Sequence, residues 1–146
     1  MCGVDPDGRV VVVNAGYSGT PQARKLGLRE GARVSLVDVP EGWQLDDPPA
    51  VVFTQNGPVD VVVRFVRSAA QIGKRLPQLK RRIYPDGAIW FAWPRRAAGH
   101  VSDVTEDAIR AAVLADGLVD VKVCAIDQDW SGLKVVWRRS ERNRGR

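Results

Sequence analysis

Histidine and cysteine are nearly missing from this chain: His100 stands alone, and the thiols are Cys2 and Cys124. A single imidazole excludes a multi-histidine metal site and leaves any Ser-His or Cys-His pair to that one ring. With Gly99 and Ser102 beside it, His100 is expected to be a solvated loop residue. The cysteines show no CxxC spacing and no secretory segment ahead of them, so a reducing cytoplasm is expected, with Cys124 a small core residue. Long apolar runs are missing too, and none approaches the ~20 residues of a membrane helix. Core-forming residues are not scarce, since 45% of the 146 residues are hydrophobic, enough to exclude a disordered chain.

Acidic charge falls short of basic charge, giving a net +5. Five arginines (Arg138, Arg139, Arg142, Arg144, Arg146) against Glu141 put +4 in the last nine residues, and residues 1 to 137 carry only +1. That segment has no apolar period and is expected to be a solvated basic tail, residues 139 to 146. Weak, salt-dependent attraction of nucleic acid is its functional alternative; no zinc-finger, helix-turn-helix or RNP-like signature accompanies it.

The remaining pattern is that of an α/β chain. Residues 1 to 15 hold one Val run, Val10 to Val13, which fits an added edge strand or an arm. Thr20-Pro21 predicts the cap and first residue of a short helix that Gly27 ends. Ala32 to Val39 and Ala50 to Thr54 predict strands, separated by a loop with three prolines and three acids between Pro40 and Pro49. Val59 to Val66 is nearly all β-branched or aromatic, as expected of a strand covered on both faces. Ser68 and Gln71 form a capping-box pattern before Ile72, Leu76, Leu79 and Ile83, and Pro77 should kink or split that helix. Tyr84 to Gly87 turns the chain into a strand over Ala88 to Trp93, completing a βαβ unit with a right-handed crossover.

Thr105 then caps a further helix, with Val104 and Ile109 spaced as a hydrophobic staple, and Asp116-Gly117 ends it. Val119 to Ile126, with Asp120 and Lys122 facing out, and Leu133 to Trp137 form an antiparallel hairpin at one edge. The expectation is a three-layer α/β domain, residues 16 to 138, with a mostly parallel sheet of six or seven strands. The hairpin, through Val136 and Trp137, is also a plausible homodimer surface.

The stretch from Val59 through Asp86-Gly87 to Trp93, followed by a helix and the closing hairpin, resembles the C-terminal half of the Rossmann-like methyltransferase fold. GYSGTPQARKLGL, DGAIWFAWP and DWSGLKVVWR, in that order, more closely resemble a family of small bacterial proteins known as a domain of unknown function. The first resemblance implies S-adenosylmethionine as cofactor, held by a glycine-rich turn after the first strand and an acid ending the second. Here those places read Val39-Pro40-Glu41-Gly42-Trp43 and Phe53-Thr54-Gln55, so both marks are absent. A degenerate methyltransferase-like protein without a bound methyl donor, acting as a non-enzymatic ligand-binding or protein-interaction module, is the expected function. An enzyme or metabolite binder with an altered pocket is the alternative.

No catalytic constellation or metal site stands complete. Residues beyond the carboxyl ends of strands are the natural ligand contacts in an open α/β sheet. Those are Asp38 after the first strand, Trp93, Arg95 and Arg96 after the second buried one, and Asp127, Trp130 and Ser131 after the penultimate one. Two guanidinium forks and two indoles could frame a site for a flat or small anionic metabolite. Alternatively, Trp93 and Trp130 pack on each other over the core while the arginines are solvated. Ser18 and Thr20 at a helix start, with Lys25 nearby, could bind an anion or serve as capping and surface residues.

Overall fold

The computed structural model describes residues 21–142 throughout, together with the backbone of two short strands nearer the start. Those strands, β1 (Cys2–Val4) and β2 (Val10–Val12), pair antiparallel with each other in a ribbon separate from the main sheet. The expected edge strand is therefore half of a small hairpin, in which the two segments satisfy one another's backbone groups.

Helix α1 (Gln22–Leu26) follows Pro21 and ends at Gly27, whose φ of +75° is the left-handed closing conformation that glycine adopts freely. Then come β3 (Arg33–Val37), β4 (Val52–Phe53), β5 (Val61–Phe65), α2 (Leu76–Ile83), β6 (Ala88–Pro94), α3 (Glu106–Leu114), β7 (Leu118–Ala125) and β8 (Trp130–Trp137). The six-stranded sheet runs in the order β4-β3-β5-β6-β8-β7. Its first four strands are parallel, and β8 runs antiparallel to both of its neighbours. This is the mostly parallel sheet with an antiparallel C-terminal pair that the sequence predicts.

Every residue of β5 and β6 is buried, as a strand covered on both faces requires. Alternate residues feed two cores. Val62, Ile89 and Phe91 meet Leu79, Ile83, Ile109 and Val113 from α2 and α3. On the opposite face Val61, Val63, Phe65 and Trp90 meet Leu26, Ile126 and Trp130. That second face is covered by α1 and by the proline-rich loop after β3, from which Trp43 and Leu45 pack inward. Full burial of such side chains contributes about 1.5–3 kcal/mol each, so both faces hold the sheet.

Pro77 splits the predicted helix: Ala69–Gln71 forms one 3-10 turn, and α2 starts afresh with the proline in its first turn. Thr105 caps α3 as expected, its Oγ1 accepting from the Ala108 N–H at 3.1 Å. Asp120 and Lys122 do not share an outward face. The register passes from Asp120 opposite Val135 to Lys122 opposite Lys134, so Val121 is a bulge residue, 54% exposed. The slip turns Asp120 toward α3, where Arg110 Nε holds it at 2.9 Å. Val136 and Trp137 lie on the inner strand of the hairpin, between β6 and β7, and the free edge belongs to β7. Trp137 is committed inward, its indole N–H donating to the Lys80 carbonyl and its ring meeting Tyr84 edge-on.

Gly132 lets β8 lie against the second core. A Cβ there would stand 2.7 Å from Ile126 Cδ1 and 3.0 Å from Trp90 Cε3, with both neighbours fully buried. Gly132→Ala is expected to lower stability by about 1–3 kcal/mol with an unchanged denaturant slope, measured by urea unfolding. An unshifted midpoint would show that Ile126 repacks freely.

Candidate functional site

The strand order reverses at β3, which has β4 on one side and β5 on the other. In open α/β sheets such a reversal opens a crevice beyond the carboxyl ends of the two diverging strands. Asp38 enters it directly after β3 with a φ of +55°, in the left-handed region that Asp tolerates better than most residues. Arg64, on β5, is 2% exposed. Its Nη1 is ion-paired to Asp38 Oδ2 and also donates to the Phe65 carbonyl at 2.9 Å. Nη2 reaches the Gln71 carbonyl at 3.3 Å. Burial disfavours the charged guanidinium and lowers its pKa, and the carboxylate of Asp38 opposes that shift.

On the other face of the same strand end, the loop after β3 folds an indole over the crevice. Trp43 and Phe65 meet at 4.8 Å between centroids and Phe65 and Trp130 at 5.0 Å, both edge-to-face. Asp127 ties this stack together. One of its oxygens accepts from Trp43 Nε1 at 2.8 Å, and the other accepts from the backbone of Asp129 and Trp130. Arg67 lies over the Trp130 ring at 5.3 Å, a cation–π contact at the surface.

Of the residues predicted from sequence, Asp38, Asp127 and Trp130 belong to this crevice. Trp93, Arg95, Arg96 and Ser131 border a different cavity of about 600 Å3, beside Thr105 and Glu106 at the start of α3. Trp93 is paired with Ser131 and Pro94 with Trp130, so the two indoles point to opposite faces of the sheet. They sit in separate cores, and neither joint reading of the pair, as one site or as a mutual lid, describes them. Arg95 is buried rather than solvated. Its Nη1 donates to the Gln128 carbonyl at 2.9 Å, so its fork serves the turn between β7 and β8. Arg96 is exposed.

Ser18 and Thr20 lie outside the described residues. Lys25 is buried, its Nζ donating to the Ala125 carbonyl at 2.9 Å, and burial lowers its pKa. His100 is partnered, its Nε2 lying 3.0 Å from Asp129 Oδ1. At the end of β4, Gln55 Nε2 donates to the Leu36 carbonyl and no carboxylate stands at Phe53, Thr54 or Gln55.

Arg64 and Trp43 escape a reading based on strand ends alone. Arg64 had one available signal: it is the charge inside VVVRFV, a run whose every other member is apolar. Among the described residues no three His, Cys, Asp or Glu side chains converge as metal ligands, and no helix is long and apolar enough to cross a membrane.

No family model matches the sequence, and no curated protein does. Among solved structures, the Methanococcus jannaschii fibrillarin, a pre-rRNA processing protein, superposes with a TM-score of 0.52 at 13% identity, covering 94% of this chain and 82% of that one. Aeropyrum pernix fibrillarin, solved with natively bound S-adenosyl-L-methionine, superposes at 0.50 with 14% identity, covering 79% and 73%. At these identities the likeness concerns the fold, which is of the Rossmann-like methyltransferase type.

Two outcomes follow from the crevice as built. Asp127→Ala removes the anchor of Trp43 and two acceptor contacts in the turn; a loss of about 1–3 kcal/mol by chemical denaturation is expected, with altered near-ultraviolet dichroism from the freed indole. Burial pushes the Cys124 thiol up, against the pull of Lys25 and Lys122. In a Cys2→Ser background Cys124 should therefore react with a disulfide reagent near pH 8 more slowly than glutathione; equal or faster reaction would contradict that burial.

Proposed function

We propose that this chain is a methyltransferase-like binding module that does not transfer methyl groups. The observation that carries the reading is the position of Trp43. In the place after β3 where a methyl donor needs close backbone approach, the chain supplies one glycine, Gly42, and then an indole packed on Phe65. Asp38, the carboxylate directly after β3, is already committed to Arg64. The end of β4 offers Thr54 and Gln55 where a ribose would need an acid, and Gln55 is engaged with β3. The residues present do not fit S-adenosylmethionine, although the fold around them does. The resemblance of three motifs to a small bacterial family of unknown function, together with the cysteine usage, favours a cytoplasmic protein of that kind.

Calorimetry and thermal unfolding with S-adenosylmethionine and S-adenosylhomocysteine test the reading. A ligand present at 100 times its dissociation constant adds about 2.7 kcal/mol, so micromolar binding is visible as a raised midpoint. No shift is expected with either compound. Binding of either at micromolar affinity would overturn the proposal, and Trp43→Gly would then be expected to tighten it.

A further inference from the structure

Arg64 is the convergence point of several features that the closed crevice alone does not explain. Asp38 and Arg75 both carry positive φ, +55° and +66°. One is the carboxylate partner of Arg64, and the other is a like charge whose field bears on it. Residues held in this way cluster where a binding or switching geometry is enforced by its surroundings.

The guanidinium is also incompletely satisfied. Its Nε is, among the described residues, a buried side-chain donor with no hydrogen-bond partner. Nε–H and the adjoining Nη2–H form one side of the fork; the first is unused, and the second reaches a carbonyl only at 3.3 Å. Asp38 engages the group through one oxygen, and its side chain is 51% exposed.

The sequence that follows Arg64 carries charge of one sign. From Val61 to Pro85 the sequence has seven Lys and Arg and no acid. Arg67, Lys74 and Arg75 are exposed, and among the described residues no carboxylate forms an ion pair with them.

We infer that Arg64 anchors a site for a small molecule bearing an oxyanion, carboxylate or phosphate, which replaces Asp38 on the guanidinium. The inference rests on the binding-module reading and names what that module binds. Without ligand, Asp38 supplies a single internal oxygen. A ligand oxyanion bridging Nη1 and Nη2 presents two oxygens where Asp38 supplies one, and releases Asp38 to water. Arg75, whose field already reaches Arg64, raises the local concentration of anions there. Asp38 acts as a built-in competitor, so its removal raises the fraction of molecules ready to bind.

The test follows the Arg64 Nε–H resonance in 15N-labelled protein at low ionic strength. Pyrophosphate, citrate and S-adenosylmethionine are titrated separately. Pyrophosphate or citrate is expected to shift that resonance, and which one does so distinguishes phosphate from carboxylate chemistry. Asp38→Asn, on a half-exposed side chain of the same size, should tighten binding roughly ten-fold, and Arg75→Gln should weaken it several-fold. The inference is overturned if neither anion moves the resonance in the wild type or in Asp38→Asn. It is equally overturned if Asp38→Asn binds no more tightly than the wild type. Either result leaves the binding-module reading standing, whereas saturable binding of S-adenosylmethionine sinks that reading itself.

Discussion

A guanidinium enclosed by a sheet and its covering helices needs a counter-charge, and Arg64 has one within reach only because β3 ends where it does. The ion pair with Asp38 joins the two strands that diverge at the reversal of the sheet order. It fixes the direction in which the chain leaves β3, and that direction brings Trp43 back over Phe65. The indole in turn reaches Asp127, which shapes the turn between β7 and β8. A chain of contacts thus runs from the middle of the sheet to its last hairpin. Removing Asp38 leaves the buried guanidinium uncompensated, so the pair constrains what is built on it even where its net contribution is small.

The architecture was legible because its signals are local and redundant. The β-branched run over Val61–Phe65, the splitting proline at Pro77, the Thr105 cap and the closing Gly117 each act within a few residues, and each is found in place. The site was legible only in outline. Asp38 was recognisable from its position at a strand end. Trp93 and Trp130 were misjudged because their relation depends on antiparallel register: opposite partners share a face and adjacent ones do not. Arg95 looked solvated because nothing local announces that carbonyls 33 residues away will take its fork. The bulge at Val121 likewise reverses the facing of Asp120 through a single unpaired residue.

Charge shows the same contrast between sum and placement. A body close to neutral in total contains a stretch of seven cations without an acid, and its compensating carboxylates lie elsewhere in sequence. Some of those cations are answered across the fold, as Lys80 is by Asp116. Others donate to carbonyl oxygens, as Arg82 does at Gly57, which satisfies hydrogen bonding without cancelling charge. The electrostatic character of this surface therefore comes from the tertiary arrangement and not from the net charge.

The place of β8 bears on the order in which the sheet is completed during synthesis. It is the last of the six strands to leave the ribosome, yet it belongs between β6 and β7. Until it arrives, the edge of β6 that it will cover, AIWFAWP, is an unpaired and almost wholly apolar strand edge. β7 can wait in a temporary position, but its permanent neighbour does not yet exist. A chain stalled before Trp130 would present the strand on which both cores are built to whatever extended segment came first, so the fold becomes safe from mispairing only as its final hairpin closes.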